Sequence, residues 1–104
     1  MIVVTTDSLP GREIAQTLGL VRGSTVRAKH IGSDIVASLR NLVGGEVREY
    51  AALLAGAREQ ALDRMIAEAR TMGADAVVGA RLETSTIAQG ASEILAYGTA
   101  VRLK

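Results

Sequence analysis

The sequence predicts a small α+β domain with the element order β-β-α-α-β-β, an antiparallel sheet packed on a long helix. Three observations lead there. Segments near both ends are rich in β-branched or alternating apolar residues, the pattern of strands. The middle carries apolar residues at helical spacing, in two stretches parted by Gly44-Gly45. The closing segment, residues 93–101 with Leu103, is apolar on both alternating sets. There Leu95, Tyr97, Val101 and Leu103 point one way, and Ile94, Ala96 and Ala100 the other. Side chains alternate across a strand, so both faces of this one need cover. A chain of 104 residues has few elements to provide it. A second copy of the same chain is the expected cover for one face.

Taken in order, residues 2–5 form a short β-branched strand, and Asp7-Ser8-Leu9-Pro10-Gly11 is turn chemistry. Residues 12–29 admit two readings. Ile14, Leu18 and Val21 fit a helix, whereas Gly19, Gly23 and the strand-like Ser24-Thr25-Val26 oppose it. A long bent strand, with bulges at the glycines, is the reading taken. Ser33 then caps a helix whose first turn holds Asp34 and whose stripe is Ile35, Leu39, Leu42 and Val43. A longer helix runs from about residue 47 to 72. Its stripe is Tyr50, Leu53, Leu54, Ala57, Ala61, Met65, Ala69 and Met72, and Gly73 sits where a left-handed C′ residue would stop it. The next strand alternates Val78, Ala80 and Leu82 against Gly79, Arg81 and Glu83. Residues 87–92 connect it to the closing strand.

Composition narrows the function classes. Length fits one domain, residues 1–104. With no Phe or Trp and only two Tyr, the core must be built from aliphatic side chains, Ala prominent among them. The net charge of +1 creates no strong field toward nucleic acid or membrane. No apolar run reaches the ~20 residues of a bilayer span. The start shows no signal-peptide pattern, so a cytoplasmic protein is expected. The absence of Cys removes disulfides, thiolate metal sites and cysteine nucleophiles.

Several motifs, taken together, resemble the YbjQ-like family, small bacterial and archaeal proteins of unknown function described as heavy-metal-binding domains. They are Leu42-Val43-Gly44-Gly45-Glu46, Tyr50, Arg58-Glu59, residues 73–79 (GADAVVG) and residues 98–101 (GTAV). Thr5-Thr6, residues 19–23 and residues 34–40 extend the likeness over essentially the whole chain. The resemblance implies a dodecin-subunit-like fold, a strand at residues 12–29, and a homopentamer. His30 stands where these proteins usually carry Asn, and Ala51 where an acidic residue is frequent.

The candidate chemistry is sparse. His30 is the only histidine, and zinc sites take three or four protein ligands. Cyclic symmetry changes that count, because each residue recurs around one axis. His30, Asp34 and Glu46 are therefore the candidate ligands of a divalent metal ion. Carboxylates such as Glu46 and Glu49 suit hard cations. Met65 and Met72 lie within an apolar stripe, where methionine is core filler. Arg40, Gly44, Gly45 and Tyr50 are candidate ligand or interface residues, since Gly44-Gly45 lets a ligand approach the backbone and Arg40 can hold an anion. His30, Ser33 and Asp34 are neighbours in sequence but form no hydrolytic triad, which requires convergence in space with an oxyanion hole. Arg12, Arg22, Arg27 and Lys29 make the first third basic, but no aromatic platform accompanies them for base stacking. The expected function is a non-enzymatic binding or structural module that forms a ring of copies. The alternative is a small-anion-binding protein or enzyme using His30 and Arg40 at a subunit boundary.

Overall fold

The computed structural model describes residues 1–28 and 45–104, the side chains of residues 45–49 excepted. The helix expected after Ser33 lies outside the described residues, as do His30, Asp34, Arg40 and Gly44. The described elements are β1 (Ile2–Val3), β2 (Ile14–Ala28), α1 (Gly45–Thr71), β3 (Ala76–Ala88) and β4 (Ala91–Leu103). They form an α+β unit in which one helix packs on a four-stranded sheet of order β1-β3-β4-β2.

The sheet is mixed, which corrects the expectation of an antiparallel one. β4 pairs antiparallel with both β2 and β3, but β1 runs parallel to β3, with Ile2 facing Ala76 and Val3 facing Val77. The reason is connection length. Parallel neighbours need a long crossover, and everything from β2 through α1 lies between β1 and β3. The long bent strand is present as β2, and its register shifts fall between Ile14 and Gln16 and between Thr17 and Gly19.

Residues 87–92 are not a loop. β3 continues to Ala88 and β4 begins at Ala91, so Gln89-Gly90 alone makes the turn. The β-branched Thr84, Thr86 and Ile87 favour extended backbone up to that turn. A second correction concerns the phase of β3. Val78 faces Thr99, and the next paired position sets Arg81 opposite Tyr97, which leaves Gly79 and Ala80 together opposite Gly98. Gly79 has φ +61°, the left-handed geometry of a glycine bulge. One inserted residue reverses the alternation. Val78 therefore lies on the sheet face away from α1, whereas Ala80 and Leu82 lie on the helix side.

α1 forms from strong helix formers, including the run Ala51-Ala52-Leu53-Leu54. Its fully buried positions are Ala57, Ala61, Met65 and Ala69, each 0% exposed and four residues apart. Such a row is inclined to the helix axis, so α1 crosses its strands obliquely. The row packs on Val21, Ile94, Ala96 and Ala100 of β2 and β4 and on Val77 and Ala80 of β3. The helix ends as a Schellman motif: the Ala74 amide donates to Ala69 O (3.1 Å) and the Gly73 amide to Arg70 O (3.0 Å). Asp75 then ties the chain to β4, its amide donating to Val101 O and its carboxylate accepting from the Leu103 amide.

The second face of β4 is covered in part by the chain itself. Ala76, Val78 and Val101 form a small cluster there under Val4, Leu9, Ile14 and Leu103. The N-terminal segment is held down by the Gly79 amide donating to Thr6 O (2.7 Å) and the Ala80 amide to Val4 O (2.9 Å). Toward the hairpin no described segment continues this cover. Leu95 and Tyr97 are half-buried, and residues 81–89 are all exposed. The molecule measures 56 × 22 × 16 Å, with a radius of gyration of 17.4 Å. A compact chain of 100 residues has about 13 Å.

Candidate functional site

Of the residues singled out in the sequence, Gly45, Glu46 and Tyr50 lie in the described part, all within the first turns of α1. Tyr50 is half-buried, and its hydroxyl lies 3.2 Å from Ser92 Oγ on β4. That contact opens a polar seam between α1 and the hairpin end of the sheet. Next along it, Arg27 Nη2 on β2 donates to Gln60 Oε1 on α1. Arg27 and Ser92 are facing partners across β2 and β4, so the two contacts are adjacent. Further in, Thr25 Oγ1 donates to Ala57 O at 3.0 Å, fully inside the helix–sheet layer.

The seam combines one guanidinium, one side-chain amide and three hydroxyls. Those groups can bind an anion or a neutral polar ligand. Each already has a partner within the chain, which makes the seam first of all a device for docking α1 on the sheet. Arg27, Gln60 and Ser92 were not singled out in the sequence as a group. The available signal was a polar residue on the helix-facing side of each of three apolar elements, and it becomes visible only once the register pairs residue 27 with residue 92.

The other basic residues of the first third do not converge. Arg22 is exposed on the sheet face away from α1, opposite Tyr97, which in turn faces Arg81. Arg81 Nη1 donates to Thr5 O (3.0 Å) and so pins the N-terminal loop. Arg12 closes the turn after β1 through its amide and Leu9 O. Lys29 lies outside the described residues.

A family model described as "Putative heavy-metal-binding", that of the YbjQ family, matches residues 1–104. The chain belongs to this family. Its UPF0145 relatives are found in archaea and bacteria. One from Halobacterium salinarum is 58% identical over 99% of both chains. One from Archaeoglobus fulgidus is 58% identical over all of this chain and 96% of its own. One from Thermus thermophilus is 56% identical over all of this chain and 91% of its own. A solved structure of a DUF74-family protein of unknown function from Pediococcus pentosaceus superposes with a TM-score of 0.67, at 14% identity, covering 100% of this chain and 98% of that one. That likeness speaks to the fold.

The donors of this YbjQ-family chain can be set against the metal in the family description. Among the described residues no three His, Cys, Asp or Glu side chains gather as a metal-binding group. Soft metal ions select thiolate and thioether ligands. The chain has no Cys, and Met65 is sealed in the core at 0% exposure. The described residues therefore do not fit a soft heavy-metal ion. No described helix is long and apolar enough to cross a membrane.

Proposed function

We propose that this YbjQ-family chain is a non-enzymatic binding module of the cytoplasm that acts as a homopentamer, with its ligand site where copies meet. One observation carries the reading: among the described residues the sheet is only half covered. α1 lies on β2 and β4 and scarcely reaches β3. The hairpin half of β3 projects with Leu82 44% and Ile87 56% exposed. A radius of gyration well above that of a compact chain supports the same reading. Apolar surface left in water costs about 25 cal/mol per Å², so burial against another copy is the economical resolution. The number five comes from the family resemblance.

The ligand proposed for the ring is a divalent metal ion, with His30, Asp34 and Glu46 contributed by successive copies. Imidazole and carboxylate together suit a borderline or hard ion better than a soft one. Native mass spectrometry tests both parts. The expected spectrum shows a pentamer that retains metal, with the metal lost in His30→Ala or Glu46→Ala while the assembly remains. A monomer at all micromolar concentrations would overturn the assembly. An oligomer that retains no added divalent ion, with an unchanged melting temperature, would overturn the metal.

A further inference from the structure

We propose that copies join edge to edge, β3 of one pairing in parallel with β2 of the next, in the register that sets Glu83 beside Arg22. This rests on the self-assembly reading above and names the surface that carries it.

Among the described residues the sheet has two open edges: β2 has β4 as its sole strand neighbour there, and β3 beyond Ala80 likewise. Edge strands are ordinarily blunted by Lys, Pro or short length. Residues 81–88 contain neither Lys nor Pro, and Thr84, Thr86 and Ile87 are β-branched. The β2 edge shows that its acceptors already recruit donors: Arg64 Nη1 reaches over from α1 to Ser24 O (2.6 Å), and Arg27 Nη1 bonds Val26 O (3.3 Å). A neighbouring strand would supply backbone N–H groups in place of these long side chains.

The helix layer fits the same arrangement. Leu82 shares the helix-side face with Ala96, yet no part of α1 covers it. β2 is the strand on which α1 chiefly packs. Setting a neighbour's β2 beside β3 therefore brings that neighbour's helix next to the bare half of β3. With the helices kept on one side, direction is fixed. β2 and β3 both run antiparallel to β4, so they pair in parallel between copies.

Side chains then set the register. Glu83 faces Leu95 and Arg22 faces Tyr97, so both lie on the sheet face away from α1. From Arg81 to Thr86 the pairing of β3 with β4 is regular, and a second register shift follows between Thr86 and Ala88. Within that stretch, one alignment sets Glu83 beside the opposite charge of Arg22. The paired stretches are then residues 81–86 and residues 20–25. This pairing begins just past the Gly79 bulge, where β1 leaves the β3 edge, and just past the β2 bulge at Thr17 to Gly19.

The Cys-free chain allows a direct test. Facing residues on adjacent strands lie about 5 Å apart, within disulfide range. Mixed Arg22→Cys and Glu83→Cys proteins are expected to form a mixed disulfide dimer on oxidation, and neither alone a homodimer. Glu83→Arg should weaken assembly on the order of tenfold through like charge against Arg22, and adding Arg22→Glu should restore it. Both positions are exposed, and circular dichroism checks that each variant is folded. Self-linking of Glu83→Cys alone would overturn the pairing. So would a wild-type oligomer that shows neither the mixed disulfide nor the charge rescue, leaving the assembly reading intact. A monomeric wild type would remove both.

Discussion

Gly23 lies on β2 directly beneath α1, where a Cβ would collide with Ala61 O and Met65 N and come within 2.6 Å of Arg64 Cβ. Two of those three are backbone atoms of a helix, which cannot yield locally. Gly23→Ala should therefore destabilise by at least the ~1–3 kcal/mol of ordinary overpacking, measured as a drop in the urea midpoint. Gly56, in the middle of α1, has nothing within 4 Å of its would-be Cβ. Gly56→Ala should instead stabilise by roughly 0.5–1 kcal/mol, because Gly weakens a helix interior. The pair separates close approach from backbone freedom, two roles that one letter in the sequence does not distinguish. Thr25 adds a polar contrast. Its buried hydroxyl bonds Ala57 O, so Thr25→Val should cost about 1 kcal/mol, the net worth of one such hydrogen bond.

At the scale of elements, the core of α1 is a row of three alanines and one methionine. Met65 is the largest fully buried side chain among the described residues. Met65→Ala should cost about 2–5 kcal/mol, toward the upper end because its neighbours are small and cannot close the void; calorimetry or chemical denaturation checks it. The helix itself was legible in the sequence: the Ala57, Ala61, Met65, Ala69 row and the Gly73 stop follow from period and capping chemistry alone. The strands were legible in part. The long strand at residues 14–28 needed the family resemblance to decide against a helix, because its two glycines and its apolar spacing pointed opposite ways. The parallel placement of β1 could not be read, since nothing local in two residues records which strand they join. The reversal of phase in β3 was hidden for a related reason: a bulge at Gly79 looks like any other glycine until the partner strand is known. The polar seam of Arg27, Gln60, Tyr50 and Ser92 is non-local in the same way, joining residues 33 and 42 positions apart.

For the whole molecule, the central fact is an imbalance between a long sheet and a helix that covers one side of it unevenly. The near end is closed twice, by α1 on one face and by the N-terminal segment on the other. Among the described residues the hairpin end has α1 over β2 and β4 only. If copies complete the structure, folding and association are linked by mass action. The thermal midpoint should then rise as protein concentration is raised, whereas a self-sufficient monomer would melt at one temperature throughout. Scanning calorimetry over a hundredfold concentration range makes the comparison. Glu83→Arg should flatten that dependence, and the Arg22→Glu compensation should bring it back.

The bulge at Gly79 also bears on how such a chain can change in length. Two residues there face the single Gly98, so deleting Gly79 would leave Arg81 opposite Tyr97 and Leu82 on the helix side; what it would remove is the kink and the amide that holds Thr6. An added residue in the two-residue turn at Gln89-Gly90 would leave both strands in phase. Gain and loss of residues are thus expected to be absorbed at the hairpin tip and at the bulge, and to be purged between Arg81 and Thr86, where pairing is regular and a slip of one residue turns every later side chain to the other side of the sheet.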